Sequence, residues 1–526
     1  MTIASPKPRF RSVRRAALVA VVASSVALTQ STVAVAQSAP VSRIVLGIGA
    51  DETEANVAWQ SRTSGPQYLE YWPSDNPGSV TTVAATQGAY NAAVFYPQEA
   101  TMTGLSANTS YTYRITDGQG ATSGEFTFTT GDFDDSWNFL ALADAQIGVG
   151  TRVAEQTANW DKALETATAE HPDASFIMHL GDQVEGWGDP LAQYEGFLSP
   201  DEVRSKRLGV LKGNHETYGV TPHKHFEDAF FLPNEQDNSA NYYFEYNNVL
   251  FIGLDSNRNT SADIAQHIEY VNDVTSQHGA KADWIIVGFH HALFSQGTHY
   301  TDAEVVRLRD ELAPALSAAG VDLVLNGHDH IYTRTHLMEG TTPVTSAEPA
   351  QAGDVLHPTD GQVLYVTSTT AGGGKYYDFQ GNDGQTYPRI REERARDLAH
   401  PSTARWRQDY NPDFTNVEVT ADSLTLTTYN VNTPYVVDKV TISKGNTKVE
   451  EPGKQEKPDT PKPPVQPDEQ PDDAGEAPDA EPGSSEGGLA AVAGLGVVGV
   501  LLALIIWGVQ NNGPNLAAWL RNHLPF

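Results

Sequence analysis

Short apolar runs that each stop at a small polar cluster set the pattern of the middle of the chain. Runs at 138–143, 175–180, 208–212, 284–289 and 321–326 end in Asp144-Ala145-Gln146, Gly181-Asp182, Gly213-Asn214-His215-Glu216, His290-His291 and Gly327-His328-Asp329-His330. Near-continuous apolar runs of this length read as strands buried on both faces. Between them, 153–170, 262–278 and 302–319 carry the apolar spacing of amphipathic helices. Further strands are expected at 249–254, 362–367, 415–420, 423–430 and 435–443. Residues 137–445 therefore read as an α/β domain. Its late all-β stretch implies two sheets packed face to face with helices outside. Strand C-termini share one edge in such a fold, so the five polar clusters converge there.

Residues 41–131 have a different texture. Strand candidates at 43–46, 55–60, 67–72, 82–84, 91–96, 110–116 and 124–130 are separated by Gly, Pro, Asn and Asp, the pattern of a β-sandwich. The turn and aromatic strand at 104–113 resemble a fibronectin type III module. No cluster of titratable residues occurs here, so this part is assigned no chemistry. The stretches 332–361 and 370–413, rich in Gly, Pro and charge, read as long surface loops. Gly372-Gly373-Gly374 lacks the spacing and the following helix of a phosphate-binding loop and reads as flexible.

Composition and chain ends add a setting. The 526 residues carry a formal charge of −32, which argues against nucleic acid as a partner. There is no cysteine, so thiolate ligands and a Cys nucleophile are excluded. Lys7, Arg9, Arg11, Arg14 and Arg15 precede an apolar stretch at 16–28 and a small-residue site at Ala34-Val35-Ala36, which reads as a signal peptide over 1–36. Residues 450–487 form an acidic, Pro-rich stretch expected to be a disordered tether. The uncharged run 488–509 is long enough for a single transmembrane helix, with 510–526 as a short tail. The expected protein is exported and held at the cell membrane, with its catalytic domain extracellular. Oligomeric state is left open.

The clusters combine hard oxygen donors with imidazoles, a mixture that suits first-row metal ions. A two-metal hydrolytic site needs a carboxylate between the ions and nitrogen and oxygen donors around each. Asp144, Asp182, Asn214, His290, His328 and His330 supply these types. The order D-x-x, GD, GNH[ED], HH, GHxH resembles the calcineurin-like metallophosphoesterases. With the preceding β-module, it looks most like their purple acid phosphatase branch.

That resemblance implies a phosphoesterase acting on small phosphorylated substrates, as in acid phosphatases, through a hydroxide bridging two metal ions. One ion would be held by Asp144, Gln146, Asp182 and His330. The other would share Asp182 and add Asn214, His290 and His328. His215 would assist the leaving oxygen, Glu216 would orient His215 through a hydrogen bond, and His299 resembles a phosphate-contacting histidine. Two positions depart from the purple branch: Gln146 stands where Gly is usual, and Glu185 where the colour-giving Tyr is usual. A colourless protein is expected, its ions Fe, Mn or Zn. A phosphodiesterase or nucleotide hydrolase would use the same ligands, and a non-catalytic surface binding protein is the rival of another class. His223 and His225 read as a surface loop, Asp329 as exposed or turn-forming, and Arg334 and Arg389 as surface cations. Asp255 reads as a strand-end cap or a pocket wall.

Overall fold

A computed structural model describes residues 41–91, 95–219, 224–237, 239–433 and 435–445. The expected signal peptide, tether, transmembrane helix and tail lie outside the described residues. Among those described, no helix is long and apolar enough to cross a membrane.

The architecture is a β-sandwich joined to an α/β domain of two facing sheets. At the heart of the first α/β sheet lie three parallel strands, Trp137–Leu142, Phe176–His179 and Arg207–Val210. Antiparallel strands Asp413–Val419, Ser423–Asn430 and Val436–Ser443 continue it on one side. In the second sheet, Val249–Gly253, Trp284–Gly288, Leu323–Asn326 and Gln362–Thr367 run parallel.

Alternation along these strands explains why their runs are continuously apolar. Val249 and Phe251 face the first sheet, where Phe251 meets Phe139 edge-on at 5.3 Å. Leu250 and Ile252 face outward onto the helices Ser261–His278 and Ala303–Ala318, meeting Ile264 and Leu308. Both faces are dry, so no polar residue interrupts the pattern until the strand ends. On the outer side of the first sheet, Trp160 of the helix Val153–Glu170 stacks on Phe197 at 5.1 Å.

The sandwich shares a sheet with the α/β domain: Val41–Ile48 pairs in parallel with Arg207–Val210 through Gly47 and Leu208, extending the first sheet to 11 strands. The other sandwich sheet is formed by Tyr68–Pro73, Thr81–Ala84, Ser110–Thr116 and Phe126–Thr129, with Trp59, Tyr113 and Phe128 between the two sheets. The strand expected at 91–96 begins at Tyr96 and runs to Met102. The stretches read as long surface loops contain strands, among them the fully buried Tyr332–Thr335 and its partner Thr403–Arg407. Arg334, expected at the surface, is 1% exposed and donates to Asp438 at 2.7 Å.

Candidate metal centre and active site

Each polar cluster sits just past the C-terminal end of a parallel strand, and the two sheets present these ends on a common edge. Backbone bonds stitch the turns together. Asp144 N donates to Gly181 O at 3.1 Å, Gln146 N to Asp182 O at 2.9 Å, and Gly327 N to His290 O at 3.1 Å. Close approach explains the glycine that precedes two of the clusters. A Cβ on Gly213 would lie 2.1 Å from Asp182 Oδ1, and one on Gly327 would lie 2.5 Å from Asp144 Oδ2.

Two donor triads result, Asp144–Asp182–His330 and Asp182–His290–His328, each with all its donor atoms within 4.8 Å of one another. Asp182 is common to both. His290 Nε2 lies 3.1 Å from Asp182 Oδ2 and 3.1 Å from Asn214 Oδ1. His328 Nδ1 lies 3.1 Å from the same amide oxygen. On the other side, His330 Nε2 lies 3.1 Å from Asp144 Oδ1. Backbone carbonyls set the tautomers: His290 Nδ1 donates to Leu180 O at 2.9 Å and His330 Nδ1 to Lys375 O at 2.8 Å. In its neutral form each therefore turns the Nε2 lone pair inward, as a metal-ligating histidine must.

The residues fit a pair of ions. Gln146 Oε1 is buried without a hydrogen-bond partner while its Nε2 meets His215, so an unused hard acceptor remains beside the first triad. The buried carboxylates and imidazoles also shift one another. Burial would raise the Asp182 carboxyl, yet His290 and His215 beside it hold it well below the usual range. Burial would lower His290, yet the carboxylates of Asp182 and Asp144 pull it up to about 10.

Residues 41–130 match the family model described as the purple acid phosphatase N-terminal domain, and residues 138–332 match that of the calcineurin-like phosphoesterases. The chain carries a purple acid phosphatase N-terminal domain followed by a calcineurin-like phosphoesterase domain. It is 25% identical over 300 residues to purple acid phosphatase 18 of Arabidopsis thaliana, covering 54% of this chain and 64% of that protein. Purple acid phosphatase 15 of the same plant is 28% identical over 154 residues, 28% of this chain and 29% of that one. The chain thus matches less than two thirds of the length of these relatives. In fold it is similar to purple acid phosphatase PPD1 from yellow lupin seeds, with TM-score 0.60, 18% identity and coverage of 77% and 74% of the two chains. It is also similar to PhoD, with TM-score 0.51, 11% identity and coverage of 76% and 90%.

Within the phosphoesterase domain, the histidine set aside for the leaving group is held differently from expectation. His215 Nδ1 donates to the backbone carbonyl of Glu185 at 2.7 Å, with the Glu185 carboxylate 3.5 Å away. Its Nε2 points at Gln146, 2.7 Å away, and lies 3.8 Å from Asp182. Glu216 does not bond the His215 ring. Its buried carboxylate accepts from Asp182 N at 2.9 Å, Gly213 N at 2.8 Å and Val184 N at 3.2 Å. The two residues share one short turn, His215–Thr217, and their side chains diverge from it, so Glu216 ties two ligand turns together instead. The orienting group for His215 is Glu185, in the position where the purple branch has Tyr.

His299 reaches the site, its ring 4.3 Å from that of His328. Its Nδ1 donates to Asp302 at 2.6 Å, and its Nε2 accepts from Tyr377 OH at 3.0 Å. Asp329 is buried rather than exposed, and accepts from Ser295 and from His299 N. His291 is buried against His328 and bonded to Ser256 at 2.7 Å. Asp255 is buried beside Lys212, with Oδ1 accepting from Asn257 N at 3.1 Å. His225 lies on the helix Lys224–Ala229 with its ring near Tyr194, not in a loop, and His223 lies outside the described residues. Arg389 packs its guanidinium 4.3 Å from the Tyr410 ring.

Two residues at the site went unnoticed in the sequence, Lys375 and Tyr377. The glycine run before them is pinned rather than loose. Ala371 N donates to Ala143 O at 2.7 Å, Asn159 to Gly372 O at 3.1 Å, and Arg152 to Gly374 O at 3.1 Å. This carries Lys375 to His330 and places its ammonium 4.6 Å from the Tyr377 ring centre. Burial, with the carboxylates of Asp329, Asp144 and Asp182, raises the Tyr377 phenol, so it stays protonated and donates to His299.

Proposed function

We propose that this chain is a metal-dependent phosphoesterase that hydrolyses phosphate monoesters at the strand-tip site. The observation that carries the proposal is the pair of buried donor triads sharing Asp182, with His215 beside them and belonging to neither. Asp144, Gln146, Asp182 and His330 would hold one ion, and Asp182, Asn214, His290 and His328 the other. Two such ions would supply an activated water and positive charge for the phosphoryl oxygens.

The chain's own groups do the rest. His215 Nδ1–H is committed to Glu185 O, which leaves Nε2 to carry a proton to the departing alcohol oxygen. The Glu185 carboxylate lies 3.5 Å from the same Nδ1 and helps to orient the ring. Across the site, Tyr377 and Asp302 fix the His299 ring, and Lys375 offers a cation to the phosphate. Glu216 keeps the turns carrying Asp182 and Asn214 in register.

The proposal extends to the setting: an exported enzyme tethered to the membrane by 488–509, supported by the basic and apolar N-terminus and the uncharged C-terminal run. The catalytic reading is tested with metal-reconstituted full chain on p-nitrophenyl phosphate and bis-p-nitrophenyl phosphate. Faster turnover of the monoester, lost in Asp182→Asn, is expected. Diester preference would move the assignment to a phosphodiesterase. Near-normal turnover in Asp182→Asn would remove the site.

A further inference from the structure

We infer that Trp187 and Tyr218 form an aromatic shelf that reads the alcohol side of the ester. The substrate class is then a phosphate ester whose alcohol carries a planar ring held off the phosphate by a spacer, as in a nucleoside monophosphate. This rests on the phosphoesterase reading above.

Large apolar side chains in this protein are buried with few exceptions, and Trp187 is the one tryptophan exposed among the described residues, at 50%. Its indole stacks on Tyr218 with ring centres 5.1 Å apart and planes at 28°. Tyr218 in turn meets His215 edge-on at 4.8 Å, and its hydroxyl accepts from Asn214 Nδ2 at 2.8 Å. A continuous path of rings therefore runs from the inner site, past the proton-carrying histidine, to solvent. Its inner end is His215, the residue proposed above to serve the departing alcohol.

The shelf is held still without being covered. Gln193, 2% exposed, grips the backbone on both sides of the indole. Its Oε1 accepts from Gly186 N at 2.9 Å and its Nε2 donates to Trp187 O at 2.6 Å. An aromatic face fixed before binding loses little freedom when a ring lands on it. Trp187 stands two ring contacts outward from His215. A ring attached directly to the ester oxygen would stop at Tyr218, whereas one beyond a sugar reaches the indole. Stacking accepts any base, because each has a π face.

The test compares kcat/KM for adenosine 5′-monophosphate with that for ribose 5-phosphate, which is the same ester without the base. Metal-reconstituted full chain and the variants Trp187→Ala and Trp187→Phe are used. The ratio cancels any general loss of metal or of folded protein. In the parent protein it is expected to favour the nucleotide by about tenfold or more. Trp187→Ala should bring it close to unity, and Trp187→Phe should retain most of it. A parent ratio near unity, or one unchanged in Trp187→Ala as for a ring that merely shields Tyr218, overturns the shelf and leaves the phosphoesterase reading standing. Hydrolysis of neither ester overturns the shelf alone where p-nitrophenyl phosphate is still turned over, and the phosphoesterase reading with it where it is not.

Discussion

The N-terminal sandwich and the strand-tip edge are built from the same element, the β-strand, yet they handle the end of a strand in opposite ways. Among the described sandwich residues, Arg43 and Asn108 are the non-glycine residues with positive φ. At the site, Asp144 (φ 53), Gln146 (φ 42), Asp182 (φ 54), His328 (φ 76) and His330 (φ 44) all adopt it, and all five are proposed ligands. Such conformations cost on the order of 1–3 kcal/mol each and persist only where their surroundings over-determine them. Here the surroundings are visible. Thr370 donates to Asp144 O at 2.6 Å, and His328 N donates to the Asp144 carboxylate at 3.0 Å. The sandwich keeps regular geometry apart from an irregularity at Arg43 and buries aromatic rings, whereas the edge gives up regular geometry to aim polar side chains at shared points. Five of the seven proposed metal ligands sit at such departures from the strand.

That contrast breaks most visibly at His215. His215→Ala should lower kcat by about 10²–10⁴ while leaving metal content unchanged, because His215 belongs to neither donor triad. Metal loss in the variant would place it among the ligands. In the sandwich the expected damage is to stability. Trp59 is buried and donates to Gln67 at 2.6 Å, so Trp59→Ala should cost about 3–5 kcal/mol in unfolding free energy, with kcat per folded molecule preserved. Chemical denaturation and active-site titration separate the two effects.

Glu216 sharpens the role of the tied turns. Glu216→Ala strips acceptors from three backbone donors and should weaken metal affinity about 10–100-fold, with hydrolysis recovering at high metal concentration. A kcat defect that excess metal does not relieve would contradict this. The smallest effect concerns His179, buried edge-on to the Trp160–Phe197 stack, whose pKa is lowered by burial and by His290 to about 3. The unfolded chain takes up this proton near pH 6.5 and the folded chain does not. The stability tied to this neutral ring is whole above about pH 6.5 and is lost as pH falls toward 3. His179→Gln should therefore lose about 1–2 kcal/mol less than the parent between pH 6.5 and 5 in urea unfolding. Equal losses would show that His179 is protonated in the fold.

Much of the α/β domain was legible because its strands are dry on both faces and its polar clusters punctuate them. The helix Val153–Glu170 and the strands Gln362–Thr367 and Ser423–Asn430 fall where periodicity places them. Tyr332–Thr335 was illegible for the opposite reason. Its Tyr-Thr-Arg-Thr sequence looks solvated, and its burial between two strands is compensated by Asp438, far along the chain, which meets Arg334 and Tyr332. Likewise nothing local marks Lys375 or Tyr377. Their role depends on a glycine run being pinned to residues more than two hundred positions earlier. Glu216 misled by adjacency, since neighbours on a tight turn point apart. Trp187 carried no signal at all, because exposure of a tryptophan is decided by the loops around it.

The central claim is that one carboxylate, Asp182, is shared by two ions, one of which also takes the Gln146 amide oxygen. Anomalous diffraction from crystals of the metal-reconstituted protein measures this directly. The predicted result is two ions about 3.5–4 Å apart, with Asp182 between them and Gln146 Oε1 on the ion held by Asp144 and His330. A single ion, or a pair that does not meet at Asp182, would contradict it.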